Sequence, residues 1–173
     1  MAKKKQPDKV VKLEKKQKQK EVQGFNGTIS KVKLKKEIPE IWFKVEGARS
    51  TRDIKLTAKE KPLDEFSATL QNLKGLLCNI CEIEDKFDNT TVLGVSFSKT
   101  GVVISGIYQL VNNGIKCPVP INTPHVVFDS NGAGYEVPED EQEKIEEFKA
   151  AVIRYVNGET AEKQTTLNFA EAK

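Results

Sequence analysis

The spacing of apolar residues changes period once, sharply, and that change limits what this chain can fold into. From Thr28 to Ala58 the period is two. In TISKVKLKK, Val32 and Leu34 fall on one face and Lys31, Lys33 and Lys35 on the other; in EIWFKVEG, Ile41, Phe43 and Val45 point inward and Glu40, Trp42 and Lys44 outward. In RDIKLTA, Ile54, Leu56 and Ala58 oppose Asp53, Lys55 and Thr57. Three half-buried strands follow, most simply an antiparallel sheet with one wet face. From Leu63 the apolar spacing becomes three and four, through Phe66, Leu70, Leu73, Leu77 and Ile80. That is a helical stripe, and it has to cover the inner face of the sheet. Pro62 stands where a first helical residue would, and Asp64 and Glu65 complement the helix dipole.

TVLGVSFSKTGVVISGIYQL returns to strands, with Lys99-Thr100-Gly101 read as a three-residue hairpin turn whose glycine is left-handed. In VNNGIKCPVPINTPH, Asn112-Asn113-Gly114 and three prolines are expected to interrupt any long element. A short strand near Val126 to Phe128 follows. The last helix begins among seven carboxylates between Glu136 and Glu147, carries the stripe Ile145, Phe148, Val152 and Tyr155/Val156, and stops at Gly158. The string β-β-β-α-β-β-α describes an α+β fold on an antiparallel sheet.

The 173 residues suit one domain with tails. Residues 1–20 hold nine lysines against Asp8 and Glu14, so this arm is +7 in a chain of +3, and residues 21–173 total −4. With little to bury, residues 1–23 are expected to be a flexible Lys-rich arm, 24–158 the single α+β domain and 159–173 a flexible tail. No apolar run approaches the roughly 20 residues of a membrane span, the Lys-rich start leads into no signal-peptide core, and three cysteines are an odd number for a secreted disulfide framework. A cytoplasmic setting, of its own cell or of a host, is expected.

Few constellations carry chemistry. Cys78 and Cys81 of CNIC, with Cys117 and His125, would make a Cys₃His zinc set. Yet the CxxC pair falls late in an amphipathic helix and the other two have no paired spacing, which favours cysteines packed as small hydrophobes. His125 has no nucleophile announced beside it, and the acidic cluster has a sufficient reason in the helix dipole. GxxxxGK[ST] and GxGxxG are both missing. No catalytic residue, metal or cofactor is assigned, and a non-enzymatic role is expected.

The outer face of the first three strands is more informative. Lys31, Lys33, Lys35, Lys44 and Lys55 would share it with Trp42, and Arg49 and Arg52 would enter from the adjoining loop. Cations for phosphates and an exposed ring for a base are what single-stranded nucleic acid requires. The bland alternative is a solvated strand face.

In the tail, QTTLNF places Gln164, Leu167 and Phe169 where there is little else to pack against. The hexapeptide resembles the motif by which bacterial polymerases and repair proteins dock on the DNA sliding clamp. That resemblance implies Gln164 at the rim of a groove and Leu167 and Phe169 in its apolar pocket. Thr165 stands where the common form has Leu, and Asn168 separates two anchors the compact form joins. Over residues 91–169, GVSFSKTGVVISGIYQL, NTPH, YVNG and this tail are similar to a group of phage and prophage proteins that occur with replication and recombination genes. Thr160 replaces the Arg of their terminal pattern. The resemblance implies a setting in phage DNA metabolism, with single-stranded DNA and the bacterial clamp as expected partners. The alternative is a protein-interaction factor acting on host replication without binding DNA.

Overall fold

The computed structural model describes residues 25–47, 50–57, 59–128 and 134–161. Its strands are β1 (Thr28–Lys35), β2 (Ile38–Glu46), β3 (Thr51–Thr57), β4 (Thr90–Phe97), β5 (Gly101–Asn112), β6 (Ile115–Asn122), β7 (Val126–Val127) and β8 (Tyr135–Glu136). They form one sheet in the order β3-β2-β1-β4-β5-β7-β8, with β6 on the same edge of β5 as β7. Every pairing is antiparallel except β7 with β8, so the α+β expectation holds and the sheet is mixed at one end. Three helices, α1 (Asp64–Asn72), α2 (Lys74–Ile80) and α3 (Glu139–Val156), cover one face.

Of the positions read as inward, Val32 and Ile41 join this core, whereas Ile54 of the outer strand β3 is 38% exposed. Val32, Ile41, Val95, Val102 and Ile104 are at most 1% exposed and meet Phe66, Leu70, Leu77, Ile145 and Phe148 from the helices. Each such side chain contributes about 1.5–3 kcal/mol by leaving water. Phe66 sits edge-on to Phe148 at 5.5 Å, and Phe97 stacks on Phe148 from the sheet. At the helix ends the Tyr155 hydroxyl donates to the Glu60 carbonyl at 2.6 Å, and Arg154 reaches Glu65 at 2.7 Å. No helix among the described residues is long and apolar enough to cross a membrane.

Several details depart from expectation for local reasons. The 63–80 stripe is broken at Leu73 into α1 and α2, which turns Leu76 and Cys78 inward as well. Pro62 precedes the helix and bridges to Thr160 instead of opening the first turn. Gly101 is not left-handed: the turn is tied by Ser98, whose hydroxyl accepts from the Gly101 N–H at 3.0 Å. What Gly101 supplies is space, because a Cβ there would lie 1.8 Å from the Val126 carbonyl oxygen.

The largest departure is β6, an eight-residue strand where prolines promised interruption. Pro118 and Pro120 pair opposite Gln109 and Ile107. On an edge strand, two prolines at i and i+2 turn their missing donors the same way, towards the open side, so the ladder is kept. Asn113 (φ 49°) and Gly114 (φ 79°) close the β5–β6 hairpin as a two-residue turn of the left-handed kind. Gly158 ends α3 as expected, at φ 95°, with the Gly158 and Glu159 N–H groups closing back on Tyr155 and Arg154.

Candidate nucleic-acid interface

The helices leave the other face of the sheet open, and register decides what gathers there. Lys31 of β1 lies opposite Trp42 of β2, and Trp42 opposite Lys55 of β3. The three form one rung, with the Lys55 and Lys31 ammonium nitrogens 4.9 and 5.5 Å from the centroid of the half-buried indole. These are cation–π contacts, worth about 0.5–1 kcal/mol each at an exposed site. The alternation expected of β1 is interrupted by a bulge at Ser30, which lets both Ile29 and Val32 be buried although they are three residues apart. The Ser30 hydroxyl donates to the Trp42 carbonyl at 3.1 Å, so the bulge also fixes the strand beneath the ring.

The flanking rungs carry the remaining charge. Lys33 faces Glu40 across β1–β2, Lys44 faces Asp53 across β2–β3, and Lys35 lies opposite Ile38. Glu40 pairs with Lys55 at 3.4 Å and Asp53 with Lys44 at 3.8 Å. Among the described residues, Lys31, Lys33 and Lys35 have no carboxylate within salt-bridge distance.

Beside this rung the sheet dips into a groove of about 410 Å³. Lys31 and Lys33 stand on one wall, Gly94, Ser96 and Ser105 form the floor, and Pro120 and Asn122 of β6 stand on the far wall. A second bulge, at Leu93, bends β4 here. Gly94 is required: a Cβ would lie 2.2 Å from the Val32 carbonyl oxygen. From the helix side, the Gln71 carboxamide pairs with both backbone groups of Val92, at 2.8 and 3.2 Å, holding the bulge. The groove lies within the roughly 300–1,000 Å³ range of small-ligand clefts. Leu93 and Ile107 line it beside the serines, so its surface is more apolar than polar, and among the described residues its charges are the two lysines.

Of the proposed DNA-binding residues, six share this face: Lys31, Lys33, Lys35, Trp42, Lys44 and Lys55. Arg52 does not. It stands within β3 opposite Val45, which places it on the helix-side face with Ile54 and Leu56, not in a loop beside the lysines. Arg49 lies outside the described residues, as do the Lys-rich arm and Gln164, Leu167 and Phe169. The groove itself escaped the sequence reading, although Gly94 between Leu93 and Val95 marked a break in β4.

The cysteines are dispersed. Cys78 is buried in α2, Cys81 caps that helix with its thiol 3.8 Å from the Asn122 carbonyl, and Cys117 is exposed on β6. Burial, and then neighbouring Cys78, push the Cys81 thiol up from its usual value, the opposite of an activated thiolate. His125 is engaged by the Ser98 hydroxyl at 2.9 Å. No cluster of three His, Cys, Asp or Glu side chains suited to a metal occurs among the described residues. Comparison with protein-family models, with curated proteins and with solved structures found no match, so the reading of this face rests on its own geometry.

Proposed function

We propose that this chain is a non-enzymatic accessory protein of phage or prophage DNA replication or recombination, which binds single-stranded DNA on the helix-free face of its sheet. The observation that carries this reading is the Lys31–Trp42–Lys55 rung beside the lysine-walled groove. A phosphodiester backbone running along β1 would meet Lys31, Lys33 and Lys35, while a base displaces one ammonium from Trp42 and stacks on the open side of its half-buried ring. The +7 arm would add contacts that need no folded geometry. Gln164, Leu167 and Phe169 would tether the protein to the bacterial sliding clamp, turning weak DNA contacts into intramolecular ones at high effective concentration.

A second reading has its own observation. Glu40 and Asp53 occupy Lys55 and Lys44, and two ammonium groups already cover Trp42. That is how a purely solvated face would look on a protein acting only through its tail.

The two readings separate in one pair of assays. Anisotropy of a labelled oligothymidylate should show binding that falls roughly 50-fold between 50 and 200 mM salt if about four phosphates are neutralised. A pull-down from bacterial lysate should recover the clamp with the intact chain and lose it when residues 162–173 are deleted. Clamp capture without DNA binding selects the second reading. Identical capture by both chains overturns the tether.

A further inference from the structure

Cross-strand register explains why the groove lies where it does. Lys33 of β1 is opposite Gly94 of β4, Gly94 opposite Ser105 of β5, and Ser105 opposite Asn122 of β6. One rung crosses four strands on the helix-free face, and its second position has no side chain. That vacancy is the dip, with an ammonium group on one side and a hydroxyl and a carboxamide on the other. The next rung runs Lys55–Trp42–Lys31–Ser96. β1 therefore separates the indole from the groove. Its Lys31 and Lys33, two residues and roughly 6.7 Å apart, border both.

The polar groups that meet here are uncommitted. Among the described residues, nothing hydrogen-bonds the Ser96 or Ser105 hydroxyl, the Asn122 carboxamide or the Lys33 ammonium group. The far wall is nevertheless fixed. Thr123, 4% exposed, donates its N–H to the Ile104 carbonyl at 2.9 Å, and its hydroxyl accepts from the Ile104 N–H at 3.0 Å. Asn122 is held between that pair and Ser105, and the Cys81 thiol donates to its carbonyl from the helix side. At the end of the groove away from Ser96, Leu93 and the facing pair Ile107 and Pro120 supply apolar surface.

Such a cleft suits a ligand that is anionic on one side, flat and apolar over its faces, and edged with uncharged donors and acceptors. We propose that the groove holds one base of the bound strand, with Ser105 and Asn122 reading its edge, while the neighbouring base across the same phosphate stacks on Trp42. The inference rests on the single-stranded DNA reading above and adds base selectivity to it. Stacking on an indole tolerates every base, because every base has a π-face. A fixed hydroxyl and carboxamide do not, because a mismatched edge leaves polar groups unpaired. The volume of about 410 Å³, near the lower end of the roughly 300–1,000 Å³ of ligand clefts, suits one nucleotide and not a run of them.

The test compares labelled homopolymers of thymidine, deoxycytidine and deoxyadenosine, equal in length and phosphate count, by anisotropy with the full chain at about 50 mM salt. One homopolymer should bind about 5- to 100-fold more tightly than the weakest, the worth of one well-placed bidentate pair. Asn122→Ala should bring that ratio below about twofold. Ser105→Leu, which fills the groove, should weaken the preferred strand to the level of the poorest. Each variant is compared with the unaltered chain on the same strands, so the stacking of a homopolymer on itself cancels. Quenching of Trp42 at saturation and the salt slope should be unchanged in both. In the unaltered chain, the preferred strand should also shift the amide resonances of Gly94 and Ser105, a readout independent of any variant's folding. Binding that quenches Trp42 with equal affinity for the three strands, a preference that survives both variants, or unmoved resonances would overturn the base site and leave the strand reading standing. No binding to any of the strands would overturn both.

Discussion

Two antiparallel hairpins in this molecule share a pattern and differ in what their apolar side meets. In β1–β2 the inward residues Val32, Ile41 and Phe43 lie under the helices, and the outward residues are charged around Trp42. In β5–β6 the corresponding side, Leu110, Val119 and Ile115, runs beyond the helices, and the outward side carries one charge. Alternation alone states that a strand has two faces. It does not state which of them finds cover, because cover depends on how far α1, α2 and α3 reach. The first hairpin commits its apolar side to the fold and keeps charge on its outer side; the second leaves part of its apolar side uncovered.

The sharpest way to break this contrast is to truncate an inner residue in each hairpin. Ile41→Ala, at a fully buried position, should cost about 2–5 kcal/mol in urea denaturation, whereas Leu110→Ala should cost less than about 1 kcal/mol. Comparable losses would mean that the second hairpin is covered after all. Next in size, Trp42→Ala should weaken single-stranded DNA binding by about 1–3 kcal/mol. An equal loss with Leu110→Asp would merge the two surfaces into one. Lys31→Ala combined with Lys33→Ala should lower the slope of log affinity against log salt by about 1.4, two phosphates' worth for a single strand. A normal slope would leave the groove without phosphates.

The smallest effect belongs to the β1–β2 turn, where Lys36 and Glu37 are both left-handed, at φ 51° and 67°, without being glycine. The neighbouring Lys61 ammonium hydrogen-bonds Glu37 and holds its carboxyl below the usual range. Lys36→Asn fits the turn better and should raise stability by less than about 1 kcal/mol, a thermal shift of a few degrees at most. No gain would mean that the turn is not strained.

Much of the first hairpin was legible in the sequence, because its inward residues from Val32 onwards lie on a period of two, whereas Ile29, beyond the bulge at Ser30, falls off that period and was missed. The Lys31–Trp42–Lys55 rung was legible as a face but not as a rung, since cross-strand register is set by turn lengths and by the bulge at Ser30. Arg52 was misplaced although it has the parity of Ile54, which already assigned it to the helix side. The second hairpin was obscured by Pro118 and Pro120, which argue against a strand only when both of its edges are paired. The groove was hidden because it is made of backbone approach at Gly94 and of residues from four strands.

Trp42 is the only tryptophan in the chain, so its fluorescence reports on the proposed site without a label. Titration of the full-length protein with oligothymidylate at 50 mM salt should quench that emission in a saturable way, and 200 mM salt should reverse most of it. Emission that stays constant at low salt, with or without DNA bound elsewhere on the chain, would contradict the account of this face.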